Sequence, residues 1–317
     1  MHAVRILAFV NQAAGERNRN DRDGREPSVR AAFEQAGATA DVRAVPGDRI
    51  IPEAQNEAQN ATHPFDVVVA AGGDGTISAV ASVMAGSGKP MGVLPLGTMN
   101  HFAKDLGLPL APADAARVVV NGVPRAVDVA EVNGRVFVNN SSIGLYPRAV
   151  ESRDRQMERL GRGKWMAMLV AWLAVFRRYP TVHVRLTNDA GETLNCETPF
   201  VFVGNNRYEI DLMRLGERTA LDRGELSVYF TRRTGRLALV TLAIRALFNR
   251  LNQSRDFEMT TTKELWIETH KRALSVSIDG EVTRLAPPLH YRIRPRDLTV
   301  MVSRAAPASA PGEMAGK

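Results

Sequence analysis

The chain has 317 residues, 44% hydrophobic and 24% charged, enough apolar material for a buried core and enough length for two domains. That excludes disorder for most of it. Twenty-five glycines exclude a collagenous chain, and a single cysteine, Cys196, excludes an internal disulfide, so a cytoplasmic compartment is expected. Lys and Arg number 41 against 34 acids, a net charge of +7, and 35 of those cations are arginine. Codon preference accounts for such a bias as readily as function does, but it does not account for the distribution. Residues 1–123 carry 11 cations and 13 anions, whereas residues 124–317 carry 30 and 21. An anionic partner is therefore expected for the second half, either nucleic acid or an anionic membrane. The start, Met1 to Val10, is apolar but too short for a leader. The longest apolar run, Trp165 to Phe176, has 12 residues, against about 20 for a membrane-spanning helix.

The first 123 residues alternate strand and helix. Strands are expected at Ile6–Val10, Ala40–Val45, Phe65–Ala70 and Met91–Leu94, with helices at Glu26–Ala36, Pro52–Gln59, Thr76–Met84 and Pro112–Val120. The run Val67-Val68-Val69-Ala70-Ala71 suits a strand covered on both faces, so the pattern predicts a doubly wound α/β layer. After Asn121-Gly122 the period changes to two. Strands are expected at Ala126–Val132, Val136–Asn139, Val182–Leu186, Thr198–Val203, Leu226–Phe230, Leu265–Glu268, Leu274–Ile278, Tyr291–Ile293 and Leu298–Val302. Turn signals such as Asn133-Gly134, Arg223-Gly224 and Asp279-Gly280 separate some of them. This predicts an antiparallel β domain over residues 124–304, interrupted by helices at about 150–178 and 236–250, and a disordered tail over 305–317.

The loop Gly72-Gly73-Asp74-Gly75-Thr76 joins a buried strand to a helix. Its glycines let the backbone turn and approach a ligand, and the amides at the helix start favour an anion such as phosphate. Asp74 would repel a phosphate unless Mg²⁺ lay between them; the alternative is that Asp74 caps the helix. A second loop, Leu96-Gly97-Thr98-Met99-Asn100-His101, repeats the arrangement after the next strand, and Thr98 and Asn100 can each bond a phosphate or cap a helix. Open α/β sheets bind ligands at such strand ends.

Gly72-Gly73-Asp74-Gly75-Thr76, followed by Pro95-Leu96-Gly97-Thr98-Met99-Asn100-His101-Phe102-Ala103, resembles the diacylglycerol kinase catalytic-domain family, which includes bacterial lipid kinases and sphingosine kinases. Val136-Phe137-Val138-Asn139-Asn140, Leu221-Asp222-Arg223-Gly224-Glu225-Leu226 and Ile278-Asp279-Gly280-Glu281 extend the likeness. The resemblance implies a phosphofructokinase-like nucleotide domain, a C-terminal β-sandwich for the lipid, and an active site in a cleft between them. It implies that Asn11, Gly15, Gly72, Gly73, Asp74, Gly75, Thr76, Gly97, Thr98 and Asn100 hold ATP, with Mg²⁺ at Asp74. It makes Glu281 the general base, with Asp279 beside it and Asp128 at a family acidic position. Taken alone, Asp279-Gly280 is a plain hairpin turn and Asp128 a satisfied structural acid.

Three departures stand out. Asn11-Gln12-Ala13-Ala14-Gly15 lacks the Pro and Ser of the family's Asn-Pro-x-Ser-Gly loop, which weakens the inference of nucleotide binding. His101 stands where many members have Asp. Arg223 replaces the second acid of an Asp-Asp-Gly turn that holds a structural Mg²⁺ in bacterial members; a guanidinium cannot ligate a cation, so Arg223 is expected to supply the positive charge itself. The apolar run Trp165 to Phe176, flanked by cations, suits either a core helix or an anionic bilayer interface. The expectation is an ATP- and Mg²⁺-dependent lipid kinase, peripheral to the inner face of an anionic membrane, without nucleic acid and with a β-edge that could form a homodimer. The alternatives are a catalytically weak nucleotide- or lipid-binding relative and a kinase of a soluble substrate resembling NAD kinase or phosphofructokinase.

Overall fold

The computed structural model describes residues 4–12, 25–59, 65–144, 181–208, 218, 220–231 and 258–304. The expected helices at 150–178 and 236–250 and the tail at 305–317 lie outside them, as does Gly15. The chain folds as two compact units. One comprises Met1–Asp128, Glu217–Arg223 and Pro295–Lys317; the other comprises Val129–Gly216 and Gly224–Arg294. The change of sequence period near residue 123 marks the first crossing and gives no sign of the two later returns.

In the first unit, β1 (Ile6–Asn11), α1 (Arg25–Gln35), β2 (Ala40–Val45), α2 (Ile50–Gln59), β3 (Val67–Gly72), α3 (Asp74–Met84), β4 (Met91–Pro95), α4 (His101–Asp105) and α5 (Pro112–Asn121) follow in order. The strands lie parallel in the order β2-β1-β3-β4. Helix α1 packs with α5, and α2 with α3. Alternate residues of each strand bury against each pair. Ile6, Ala8 and Val10 join Val29, Phe33 and Val119 in one cluster, while Leu7 and Phe9 between them are fully buried as well. Burial on both faces is why these strands read as unbroken apolar runs. The chain leaves β1 for β2 on one side and reaches β3 on the other, so the gap between the ends of β1 and β3 is the switch point of the sheet.

β5 (Val123–Val132) leads from the first unit into the second, where β6 (Arg135–Phe137), β7 (Asn140–Gly144), β8 (Val182–Asn188), β9 (Thr193–Thr198), β10 (Phe200–Asn205), β11 (Leu226–Phe230), β12 (Glu258–Thr262), β13 (Glu264–Glu268), β14 (Leu274–Ile278), β15 (Glu281–Leu285) and β16 (Leu289–Val302) follow. Antiparallel β9, β8, β13 and the start of β16 form one layer; antiparallel β12-β11-β10-β7-β14-β15 form the other. Val184, Leu186, Leu265, Ile267 and Tyr291 from the first layer share a core with Ile143, Val201, Val203, Val228 and Val276 from the second. The fold is thus an α/β unit with a β-sandwich, as the two sequence periods require. No described helix is long and apolar enough to cross a membrane.

Two local differences carry consequences. Tyr291–Ile293 and Leu298–Val302 are one strand, β16, with Pro295 inside it and Arg296 left-handed at φ 53. Conversely, the strand expected over Val136–Asn139 stops at Phe137 as β6, and after Val138-Asn139 a further strand, β7, begins at Asn140. In each place an aspartate carboxylate from elsewhere in the chain receives the backbone amides that the ladder leaves open.

Candidate active site

Three parallel strands, β1, β3 and β4, end side by side, and each end carries part of the glycine-loop constellation. Asn11 closes β1, and its amide Nδ2 donates to the Thr76 hydroxyl across the switch point at 3.2 Å. Gly72 closes β3 because a Cβ there would lie 2.6 Å from the Thr76 side chain. The two loops meet backbone to backbone: a Cβ on Gly97 would lie 2.6 Å from the Cα of Gly73. That approach is why glycine is needed at position 97, whatever occupies the loop, while a Cβ on Gly73 would meet the Gly97 Cα only at 3.5 Å.

Asp74 does not cap its own helix. Gly73 is the N-cap of α3, no side chain caps it, and the exposed Gly75 follows in the first turn. The start of α3 is therefore an uncapped row of amides, the feature that suits a phosphate. The Asp74 carboxylate reaches forward to the next loop instead, accepting the backbone N–H of His101 at Oδ1 (2.7 Å) and of Asn100 at Oδ2 (3.0 Å). Asn100 is buried and left-handed (φ 51), and its side chain is used within the loop. Its Oδ1 accepts the Gly97 N–H at 3.0 Å, and its Nδ2 donates to the Gly97 carbonyl at 2.8 Å.

These placements sort the expected nucleotide contacts. Gly73 and Gly97 are half-buried where the loops meet, and Gly75 and Thr98 are exposed. Thr76 and Asn100 are buried: the Thr76 hydroxyl accepts from Asn11 at the end of β1, and the Asn100 amide is spent on Gly97 within its own loop. His101 is the first residue of α4, half-buried, and its backbone contributes to the loop through Asp74. For a divalent cation the fit is poor from the chain's side. Each Asp74 oxygen accepts one amide, which leaves at most one lone pair on each for a cation, and among the described residues no three of His, Cys, Asp and Glu cluster to hold a metal.

The residues expected to do chemistry elsewhere are equally divided. Asp128, 1% exposed, accepts the Arg296 N–H at 2.8 Å and donates its own N–H to the Leu221 carbonyl at 2.7 Å. It is a structural acid that fixes the irregular point in β16. Asp222 of the Leu221-Asp222-Arg223-Gly224 turn meets Arg125 at 3.3 Å, so a guanidinium from β5 stands on this acid. In the second unit Asp279 occupies a left-handed turn (φ 47) with Gly280 (φ 89) and gathers three amides: Val138 and Asn139 at 2.9 Å and Asn140 at 3.0 Å. Glu281, two residues on at the head of β15, is exposed.

One pair escapes any reading of the chain alone. Asp105, the last residue of α4, and Arg218 form a buried ion pair at 2.8 Å, their side chains 1% and 0% exposed. No local signal marks partners 113 residues apart.

Residues 5–132, which carry both glycine loops, match the family model for the diacylglycerol kinase catalytic domain. The chain is 32% identical over 222 residues to a Chromohalobacter salexigens protein named "Probable lipid kinase YegS-like", covering 68% of this chain and 69% of that one. The chain belongs to this lipid kinase family. A "Diacylglycerol kinase" of Bacillus subtilis is 43% identical over 110 residues, 34% of this chain and 36% of that one. A crystal structure of a diacylglycerol kinase from Bacillus anthracis superposes with a TM-score of 0.66 at 22% identity, covering 95% of this chain and 97% of that one, a likeness of fold. Family membership makes the chain a phosphotransferase by kind, and the loops described above are the part of it that the family model spans.

Proposed function

We propose that the protein transfers the γ-phosphate of ATP to the hydroxyl of a diacylglycerol-like lipid. The observation that carries this reading is the meeting of two glycine loops at Gly73 and Gly97, over the ends of β1, β3 and β4 and beside the uncapped start of α3. A triphosphate needs backbone donors that approach without Cβ atoms, and these loops offer them. The Gly73, Gly75 and Gly97 backbone and the exposed Thr98 hydroxyl would hold the phosphates, with Asn11, Asp74, Thr76 and Asn100 keeping the loops in shape. Mg²⁺ would enter with the nucleotide, held chiefly by phosphate oxygens and water, as befits a cation that needs few protein ligands. Bound in that way, it would neutralise charge on the phosphates.

Glu281 would accept the proton of the attacking lipid hydroxyl, the role its exposure and its place after the Asp279-Gly280 turn suit. Asp279 fixes that turn and has no amide-free oxygen, since Oδ2 takes Val138 and Oδ1 takes Asn139 and Asn140. Attachment to an anionic membrane surface fits the net positive charge of residues 124–317 and belongs to the same proposal. The test is a panel of lipids incubated with labelled ATP and read by product mass. A phosphorylated diacylglycerol or related lipid supports the reading; a phosphorylated sugar or dinucleotide with no lipid product overturns it.

A further inference from the structure

Asp105 and Arg218 form the most deeply buried ion pair among the described residues. Arg218 is fixed through three donors: its backbone N–H to Asp105 Oδ1 at 3.2 Å, and Nε and Nη2 to Oδ2, both at 2.8 Å. Its guanidinium lies 6.0 Å from the centre of the buried Phe102 ring. Burial pushes the Asp105 pKa up against the opposing pull of Arg218, the mark of a carboxylate held where water is scarce. The stretch that carries Arg218 is fastened twice more, by the Leu221 carbonyl on the Asp128 N–H and by Asp222 on Arg125.

What this pair holds is α4. A helix of five residues cannot maintain itself, so its place is decided by what grips its ends. Asp74 grips the first end through the Asn100 and His101 amides; Asp105 and Arg218 grip the last. Between the two grips, Asn100 closes the loop on Gly97, and Gly97 touches Gly73. A shift of α4 along its axis would move Asn100, and with it the backbone donors of the Gly97–Asn100 loop.

We propose that Arg218 is a positioning residue for the Gly97–Asn100 loop, acting through Asp105 and α4 on the loop's fit to a triphosphate. The triphosphate rests on the kinase reading; the effect on the loop does not. In the test, full-length wild type is compared with Arg218→Met, with the double variant Arg218→Met/Asp105→Leu, and with Arg218→Lys. The single Met variant strands a buried carboxylate and is expected to melt early, whereas removing both charges restores the melting temperature. In the restored double variant the Gly97, Asn100 and His101 amides should exchange with solvent about tenfold faster, and ATP should bind about tenfold more weakly, because a displaced support is felt at a distance. Exchange within β3 should not change. Arg218→Lys keeps the charge but not the fork, and should show the same faster exchange if the double variant does not regain its melting temperature. Wild-type exchange at those three amides in a variant of wild-type melting temperature would overturn the proposal and leave the pair merely structural. If the wild type itself binds no ATP, the kinase reading fails while the exchange measurement still decides the role of Arg218.

Discussion

The glycine loops of the first unit and the Asp279 hairpin of the second are built on one device and finished differently. In each, an aspartate from a family motif gathers backbone amides of a neighbouring loop: two at Asp74, from Asn100 and His101, and three at Asp279, from Val138, Asn139 and Asn140. Around Asp74 this leaves a glycine cradle, an uncapped helix start and an exposed Thr98. Around Asp279 it leaves one exposed carboxylate, Glu281. The acids at the centre of both motifs are scaffolding, and the groups free to meet a substrate stand one to three residues from a motif carboxylate or across the paired loop. An aspartate motif in this fold therefore marks a loop held in shape by a carboxylate, and under the proposed function the reacting group is its neighbour.

The strongest way to break that comparison is Glu281→Gln. If Glu281 is the base, turnover should fall by about 10²–10⁴-fold. Stability should stay within about 0.5 kcal/mol, since the side chain is exposed on a strand end. Wild-type turnover would return the hairpin to a purely structural part. The two scaffold aspartates give the next largest effect, read by urea unfolding. Asp279→Ala should cost roughly 3 kcal/mol and Asp74→Ala roughly 2 kcal/mol, because each abandons charge-assisted bonds and the former abandons one more. Equal losses would mean that the count of amides is not what matters.

The smallest effect concerns the sandwich core beside the hairpin. Tyr291 is fully buried with its hydroxyl 3.1 Å from that of Ser141, and burial holds its ionisation above the usual phenol range. An unfolded chain releases this proton near pH 10 and the folded chain does not, so the stabilisation is complete below about pH 10 and declines above it. The slope is about 1.4 kcal/mol per pH unit for one such group. Tyr291→Phe should flatten the alkaline loss while costing about 1 kcal/mol at neutral pH for the missing hydrogen bond. Tyr229, also raised by burial, keeps its own share of the slope. Unchanged alkaline unfolding in Tyr291→Phe would show that the sandwich opens before this tyrosine titrates.

Much of the fold was legible because its signals are local. The unbroken run Val67–Ala71 announced a strand buried on both faces, and Leu226–Phe230 and Leu274–Ile278 appear with the bounds their pattern suggests. Of the strands that went unread, β9, β12 and β15 are outermost in their layers, while β7 lies between β10 and β14 and reads as Asn140-Ser141-Ser142-Ile143-Gly144, with one large apolar residue. An edge strand buries little and carries polar residues such as Glu258-Met259-Thr260-Thr261-Thr262, so its period of two is faint. The site divides in the same way. Gly72 to Thr76 and Gly97 to Asn100 were legible as loops from glycine spacing, but Thr76 and Asn100 read as ligand contacts because nothing in a sequence shows which way a polar atom turns.

By itself, the sequence determined the two periods, the order of strand and helix through the first unit, the places of the glycine loops and the family they belong to. Each of these depends on residues within a few positions of one another. Tertiary structure alone decided the work of the carboxylates. Asp74 finds its amides 26 and 27 residues on, Asp105 finds Arg218 at a separation of 113, Asp279 finds Asn139 at 140 and Asp128 finds Arg296 at 168. A buried carboxylate must find donors wherever packing brings them. That search runs through space, so the excess of positive charge seen in the composition shows neither which acids are spent on the scaffold nor that Glu281 is left exposed.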